Sequence, residues 1–177
     1  VEYEKKIYVP EDVQPLKSVL TKIGQYGLSL DEERTILTIK SDGVQAEFNL
    51  RRGLCIKSLA FRTHENEACA GTIEHGFFKD IELGSDFYSG GVVIEIPSER
   101  KKITDLDAVS PEFSLAKDGS LEMYVKLRTG FGNILKKIVV SSSKQTLGLM
   151  YEFEEWQDFI GTARIGNITL LNGFAKR

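Results

Sequence analysis

The chain reads as an all-β protein: one antiparallel β-sandwich with a single short helix near its start. Three observations predict this. From residue 34 onward, short stretches alternate apolar and polar residues with a period of two, the side-chain period of a strand with one buried face. Gly, Asn, Asp and Ser interrupt those stretches at short intervals, as turns do. Helical spacing of apolar residues is confined to the first thirty positions. With 177 residues, 41% hydrophobic and 28% charged, the chain has the length and composition of one globular domain able to bury a core. No repeat and no low-complexity linker divides it, so 1–177 reads as a single domain.

The elements follow in order. Asp12-Val13-Gln14-Pro15 precedes Leu16, Val19, Leu20 and Ile23, the i, i+3, i+4, i+7 spacing of an amphipathic helix, and Gly24 and Gly27 then close it. Residues 1–30 are therefore expected to lay a helical or extended segment over one end of the sandwich. Residues 34–40 and 44–50 are β-branched and alternating around Ser41-Asp42-Gly43, which predicts a hairpin. Further strands are expected over 54–61, 91–96, 112–115, 121–128, 134–140, 147–154 and 165–171. Their connectors are 117–120, 130–133 and 141–144. Strands at this spacing, with short turns and almost no helical pattern, favour a sandwich over an α/β fold. The stretch 62–91 breaks the rhythm and carries both histidines, His64 and His75. A connection this long and this aromatic is expected to pack on the sandwich and to serve a function.

Composition removes several function classes. A net charge of −3 gives no electrostatic basis for nucleic acid, which needs a clustered basic surface. The basic runs Arg100-Lys101-Lys102 and Lys136-Lys137 are short, and read as solvated turns or guards on an edge strand. No apolar stretch reaches the roughly 20 residues of a membrane-spanning helix, so no membrane partner is expected. The start, Val1-Glu2-Tyr3-Glu4-Lys5-Lys6, carries no apolar signal core. That start and the open-ended Asn172-Gly173-Phe174-Ala175-Lys176-Arg177 lead us to expect a piece cut from a longer protein. With the compartment otherwise open, the few cysteines and the missing signal core favour the cytoplasm. Cys55, within Leu54-Cys55-Ile56, reads as a buried small hydrophobe, and Cys69 lies among small residues; two cysteines make no disulfide framework. Two cysteines and two histidines also make a poor metal set. The chain has no nucleotide-binding glycine loop, dinucleotide fingerprint or nucleophile elbow. We expect no metal and no cofactor.

Residues with chemical potential remain. Glu95 lies in Val92-Val93-Ile94-Glu95-Ile96, where alternation puts it on the face of Val93 and opposite Val92, Ile94 and Ile96. A carboxylate on so apolar a strand suits acid/base work if burial raises its pKa. The plainer reading is an ion pair with Arg51, Arg52 or Arg128, or simple exposure. His75, in Glu74-His75-Gly76, can move a proton near neutral pH, or serve as an ordinary hydrogen-bond partner. Asp80, Glu82 and Asp86 alternate as hard-cation ligands do, but lack a Ca²⁺-loop pattern and read as a solvated face. Phe87, Tyr88 and Trp156 offer flat apolar faces on which a ring's C–H groups could stack, or they fill the core.

One resemblance gives these residues a context. Asn49-Leu50-Arg51-Arg52-Gly53-Leu54-Cys55-Ile56-Lys57-Ser58-Leu59 resembles the strand-turn-strand of galactose-mutarotase-like β-sandwiches, in which a Gly followed by Ile-x-Ser-Leu begins a strand laid across the sheet. Gly71-Thr72-Ile73-Glu74-His75-Gly76 through Asp86-Phe87-Tyr88-Ser89-Gly90, and Thr104-Asp105-Leu106, are similar to segments of sandwich domains attached to carbohydrate-active enzymes, glycoside hydrolases among them. The resemblance covers residues 45 to 171 and implies a supersandwich that is shorter than a full member of the group. It implies an accessory, carbohydrate-associated domain that packs on other domains of a parent protein and contacts glycan through Trp156 or Tyr88. Its alternative is an aldose-1-epimerase-like enzyme, with His75 and Glu95 as acid and base at an anomeric centre and Arg51 or Arg52 binding hydroxyls or a phosphate. A third reading is a structural sandwich that assembles with copies of itself.

Overall fold

A computed structural model describes residues 14–15, 20–33, 35–73 and 87–175. It is nearly all β and antiparallel. β1 (Gln14–Pro15) pairs with a strand far along the chain, whereas β2 (Leu20–Ile23), β3 (Tyr26–Asp31), β4 (Ile36–Lys40), β5 (Val44–Asn49), β6 (Cys55–Phe61) and β7 (Ala68–Gly71) run as one antiparallel meander. β8 (Val92–Ile96) and β9 (Lys101–Thr104) start a small sheet. A second meander follows in β10 (Glu112–Leu115), β11 (Leu121–Thr129), β12 (Gly132–Ser141) and β13 (Thr146–Glu154). β14 (Thr162–Ile165), β15 (Thr169–Leu170) and the one-turn helix α1 (Asn172–Ala175) complete the described chain. The sheet orders are β15-β7-β6-β5-β4-β3-β2, β1-β10-β11-β12-β13 and β14-β8-β9.

The predicted N-terminal helix is a correction. Leu20–Ile23 is a strand, and it pairs with β3 from Leu20↔Ser29 to Ile23↔Tyr26. Gly24 and Gln25 form the two-residue turn between them, with Gly24 at φ +56°, so Gly opens a hairpin here instead of ending a helix. Apolar residues three and four apart satisfied the helical template, but backbone pairing with β3 decided the conformation of so short a run. The 165–171 strand is also divided. Gly166 (φ +68°) breaks it into β14, which pairs with β8, and β15, which pairs with β7. The hairpin at 41–43 forms as predicted, and strand lies within every other predicted span.

The core lies between the two large sheets and follows their registers. Leu28↔Ile39↔Ala46↔Leu59 and Leu30↔Leu37↔Phe48↔Ile56 are cross-strand rows of the seven-stranded sheet. Met123↔Ile138↔Leu149 and Leu127↔Ile134↔Phe153 face them from the five-stranded sheet. Tyr26, Phe48 and Phe113 are among the largest side chains fully withdrawn from water. Polar ties fix one sheet on the other. The Tyr26 hydroxyl donates to the Val140 carbonyl (2.9 Å) and accepts from the Ser142 N–H (2.9 Å), while the Gly43 N–H donates to Ser142 Oγ (3.0 Å). Such groups, buried between sheets, need partners of this kind.

Candidate functional site

The most unusual chemistry sits where all three sheets meet. Along β12, Ile134, Lys136, Ile138 and Val140 point inward, so Lys136 occupies a core row between Val125 and Tyr151. It is 1% exposed. The expectation of a solvated turn or an edge guard at Lys136 was wrong: β12 is an interior strand, and its alternation turns Lys136 in and Lys137 out. The ammonium donates to the Gly53 carbonyl at 2.7 Å and to Asp105 Oδ2 at 3.2 Å. It also lies over the ring of Tyr151, 5.7 Å from its centre.

Asp105 follows β9 and is fully buried. Its second oxygen, Oδ1, accepts the N–H of Val92 at 2.8 Å, at the start of β8. Burial pushes its carboxyl above the usual range, against the pull of Lys136 and the Val92 N–H. Gly53 brings the third sheet in. It has φ +58°, and a Cβ there would overlap the carbonyl oxygen of Asp105, so the β5–β6 turn can approach only as glycine. The Tyr151 hydroxyl closes the cluster by donating to the Gly90 carbonyl at 2.8 Å; burial raises its pKa. Cys55 is buried beside these charges, and burial pushes its thiol up to about 12. A thiol held protonated is neither nucleophile nor metal ligand. The cluster's polar groups are spent on one another, and the arrangement joins sheets rather than receiving a ligand.

A second cluster lies on the outer face of the five-stranded sheet. Lys137 Nζ meets Glu122 Oε1 at 2.8 Å and stands over the Tyr124 ring, 5.2 Å from its centre. The Tyr124 hydroxyl donates to Glu122, which also accepts from Ser114 Oγ at 3.4 Å. Burial and Glu122 together raise the Tyr124 pKa. For Lys137, burial lowers the pKa but the bonds to Glu122 and Tyr124 outweigh it, so the ammonium is held charged.

The residues singled out from the sequence fall elsewhere. Glu95 faces outward from the central strand of the small sheet and is about two-fifths exposed. Arg164, across on β14, approaches it at 3.4 Å through both terminal nitrogens, and Lys102 on β9 stands 3.7 Å away. Its arginine partner is therefore Arg164 rather than Arg51, Arg52 or Arg128. Arg51 is exposed and Arg52 half-buried on the β5–β6 turn, where Asn49 Oδ1 accepts the Arg51 N–H at 2.9 Å. Tyr88 is buried at 7% exposure. Trp156 is half-buried: it meets Phe153 edge to face with centres 5.1 Å apart, and its ring would lie 2.8 Å from a Cβ on Gly132. These two aromatics serve as packing. His75, Asp80, Glu82 and Asp86 lie outside the described residues. Sequence reading missed Lys136 and Asp105, although the alternation Ile134-x-Lys136-x-Ile138 carried the signal for one of them.

In comparisons with known proteins, no family model, no curated protein and no solved structure matched the chain.

Proposed function

We propose that the chain is an accessory β-sandwich domain of a carbohydrate-active protein, similar to galactose-mutarotase-like domains, that works by docking on neighbouring domains. The observation that carries this reading is the distribution of exposed apolar side chains. Among the described residues, five of the eight large exposed hydrophobics lie between 160 and 174: Ile160, Ile165, Ile168, Leu170 and Phe174. Ile160 is 90% exposed. Exposed apolar groups concentrated in one stretch of chain supply the kind of surface that protein contacts cover.

Two further points support the accessory reading over the catalytic one. Glu95 is about two-fifths exposed and ion-paired with both Arg164 and Lys102, the setting of a surface carboxylate engaged in strand-to-strand pairing. Tyr88 is buried, and Trp156 is half-buried against Phe153. The carbohydrate association rests on the likeness of residues 49–59, which form the end of β5, a turn at Gly53 and most of β6.

Proton NMR of α-glucose and α-galactose with the folded protein tests the proposal. Anomeric equilibration at the uncatalysed rate is the expected result. Acceleration that disappears in Glu95→Gln would overturn the accessory reading in favour of an epimerase-like enzyme.

A further inference from the structure

The sheet edges differ sharply in how they are guarded. An exposed edge presents unpaired N–H and C=O groups, and natural proteins blunt such edges with short strands, lysine, proline or bulges. Among the described residues the three sheets have six edge strands. β1 has two residues, one of them Pro15, and β15 also has two. β2 has four with Lys22, β9 four with Lys101 and Lys102, and β14 four with Arg164. β13 has nine residues, Thr-Leu-Gly-Leu-Met-Tyr-Glu-Phe-Glu, with no proline and no basic residue. Its register against β12 runs unbroken from Asn133↔Glu154 to Ser141↔Thr146, so no bulge turns it aside. Of the six, β13 is the longest and lacks proline, lysine and a bulge; its charges are Glu152 and Glu154 alone.

We infer that β13 is a self-association edge, pairing antiparallel with β13 of a second copy about a two-fold axis at Met150. The sequence of β13 is self-complementary in that register. Met150 would face Met150, Leu149 would face Tyr151, and Leu147 would face Phe153. Glu152 would face Gly148 and Glu154 would face Thr146, so no carboxylate is placed directly opposite another. All nine residues pair, and a two-fold axis is the ordinary symmetry of such contacts. The burial pattern points the same way. On β12 the inward residues Ile134, Ile138 and Val140 are fully buried, whereas their neighbours on β13 (Phe153, Leu149 and Leu147) are only half-buried at the rim of the core. A second β13 would carry the apolar layer across the axis and finish covering them. The partner is thus a second copy of this chain, and the joined sheet would have ten strands.

Two variants test it on the intact chain. Met150 faces the outer side of the sheet, so Met150→Lys leaves the core untouched and places two like charges opposite each other at the axis. The wild-type chain is expected to sediment as a dimer of 19.8 kDa subunits, and Met150→Lys as a monomer with unchanged circular dichroism. Met150→Cys supplies the second measurement. Opposite Cα atoms in an antiparallel pair stand about 4.5–5.5 Å apart, within the range a disulfide spans. Mild oxidation should link the chains through residue 150, while buried Cys55 and Cys69 stay reduced. A wild-type chain that remains monomeric into the hundreds of micromolar overturns the inference. So does a dimer that survives Met150→Lys and gives no link through Met150→Cys.

Discussion

Lys136 and Asp105 form an ion pair with both side chains fully shielded from water and 3.2 Å between nitrogen and oxygen. The pair joins an interior strand of the five-stranded sheet to the loop leaving the small sheet, and the Gly53 carbonyl attaches the third. Removing one charge leaves the other buried alone, which costs about 3–5 kcal/mol. Asp105→Ala should therefore lower stability by that order in urea unfolding. Asp105→Leu combined with Lys136→Met should cost clearly less than the sum of its single variants, because it removes both charges together. Additive losses would mean that the two groups act independently.

Alkaline pH should unfold the protein through the same region. The Cys55 thiol is pushed from 9.0 to about 12 by burial, and Tyr151 is raised for the same reason. A folded-state pKa raised above the unfolded value gives stability that is complete below pH 9 and is lost as pH rises toward 12. Between those values the thiol alone should tilt stability downward by about 1.4 kcal/mol per pH unit. Cys55→Ala should remove that share of the slope, at the expense of a small constant loss from the cavity. An unchanged slope in Cys55→Ala would show that the thiol is accessible to water.

Gly53→Ala should be among the most damaging single-methyl additions available. The residue combines φ +58° with a backbone oxygen in the space a Cβ would take. Backbone against backbone cannot give way, so a loss of about 3 kcal/mol or more is expected in thermal or urea unfolding. Gly27→Ala is the control. Its nearest neighbour would be the Lys40 carbonyl at 3.8 Å, and Ala there should be neutral or stabilising by up to about 1 kcal/mol.

Fold class was legible because alternation is a local property. Val44-Gln45-Ala46-Glu47-Phe48 states which face is buried without reference to any partner, and the structure follows it. Leu20–Ile23 was not legible, since four residues fit a helix and a strand equally and the decision fell to β3. Lys136 shows a different failure. Its neighbours Ile134 and Ile138 placed it inward, but burying an ammonium is acceptable only with an Asp105 thirty-one positions away. Residue type argued for the surface and periodicity for the interior, and only the long-range contact decided between them. Glu95 was placed on the correct face, yet its partner Arg164 arrives through a strand pairing that no local pattern announces.

Two of the residues that looked functional, Glu95 and Trp156, should separate by stability rather than by activity. Glu95 has its ion pairs in partly exposed positions, where solvent screens them, and such pairs are worth about 1 kcal/mol or less. Glu95→Gln should therefore unfold within about 1 kcal/mol of wild type. Trp156 packs its ring edge to face with Phe153 and lies against Gly132 at the end of the β11–β12 hairpin. Half-buried, it should cost about 2 kcal/mol on Trp156→Ala, less than the full penalty of a core tryptophan. Urea unfolding of both variants gives the comparison. A Trp156→Ala chain as stable as wild type would return that ring to the surface and restore it as a platform for sugar.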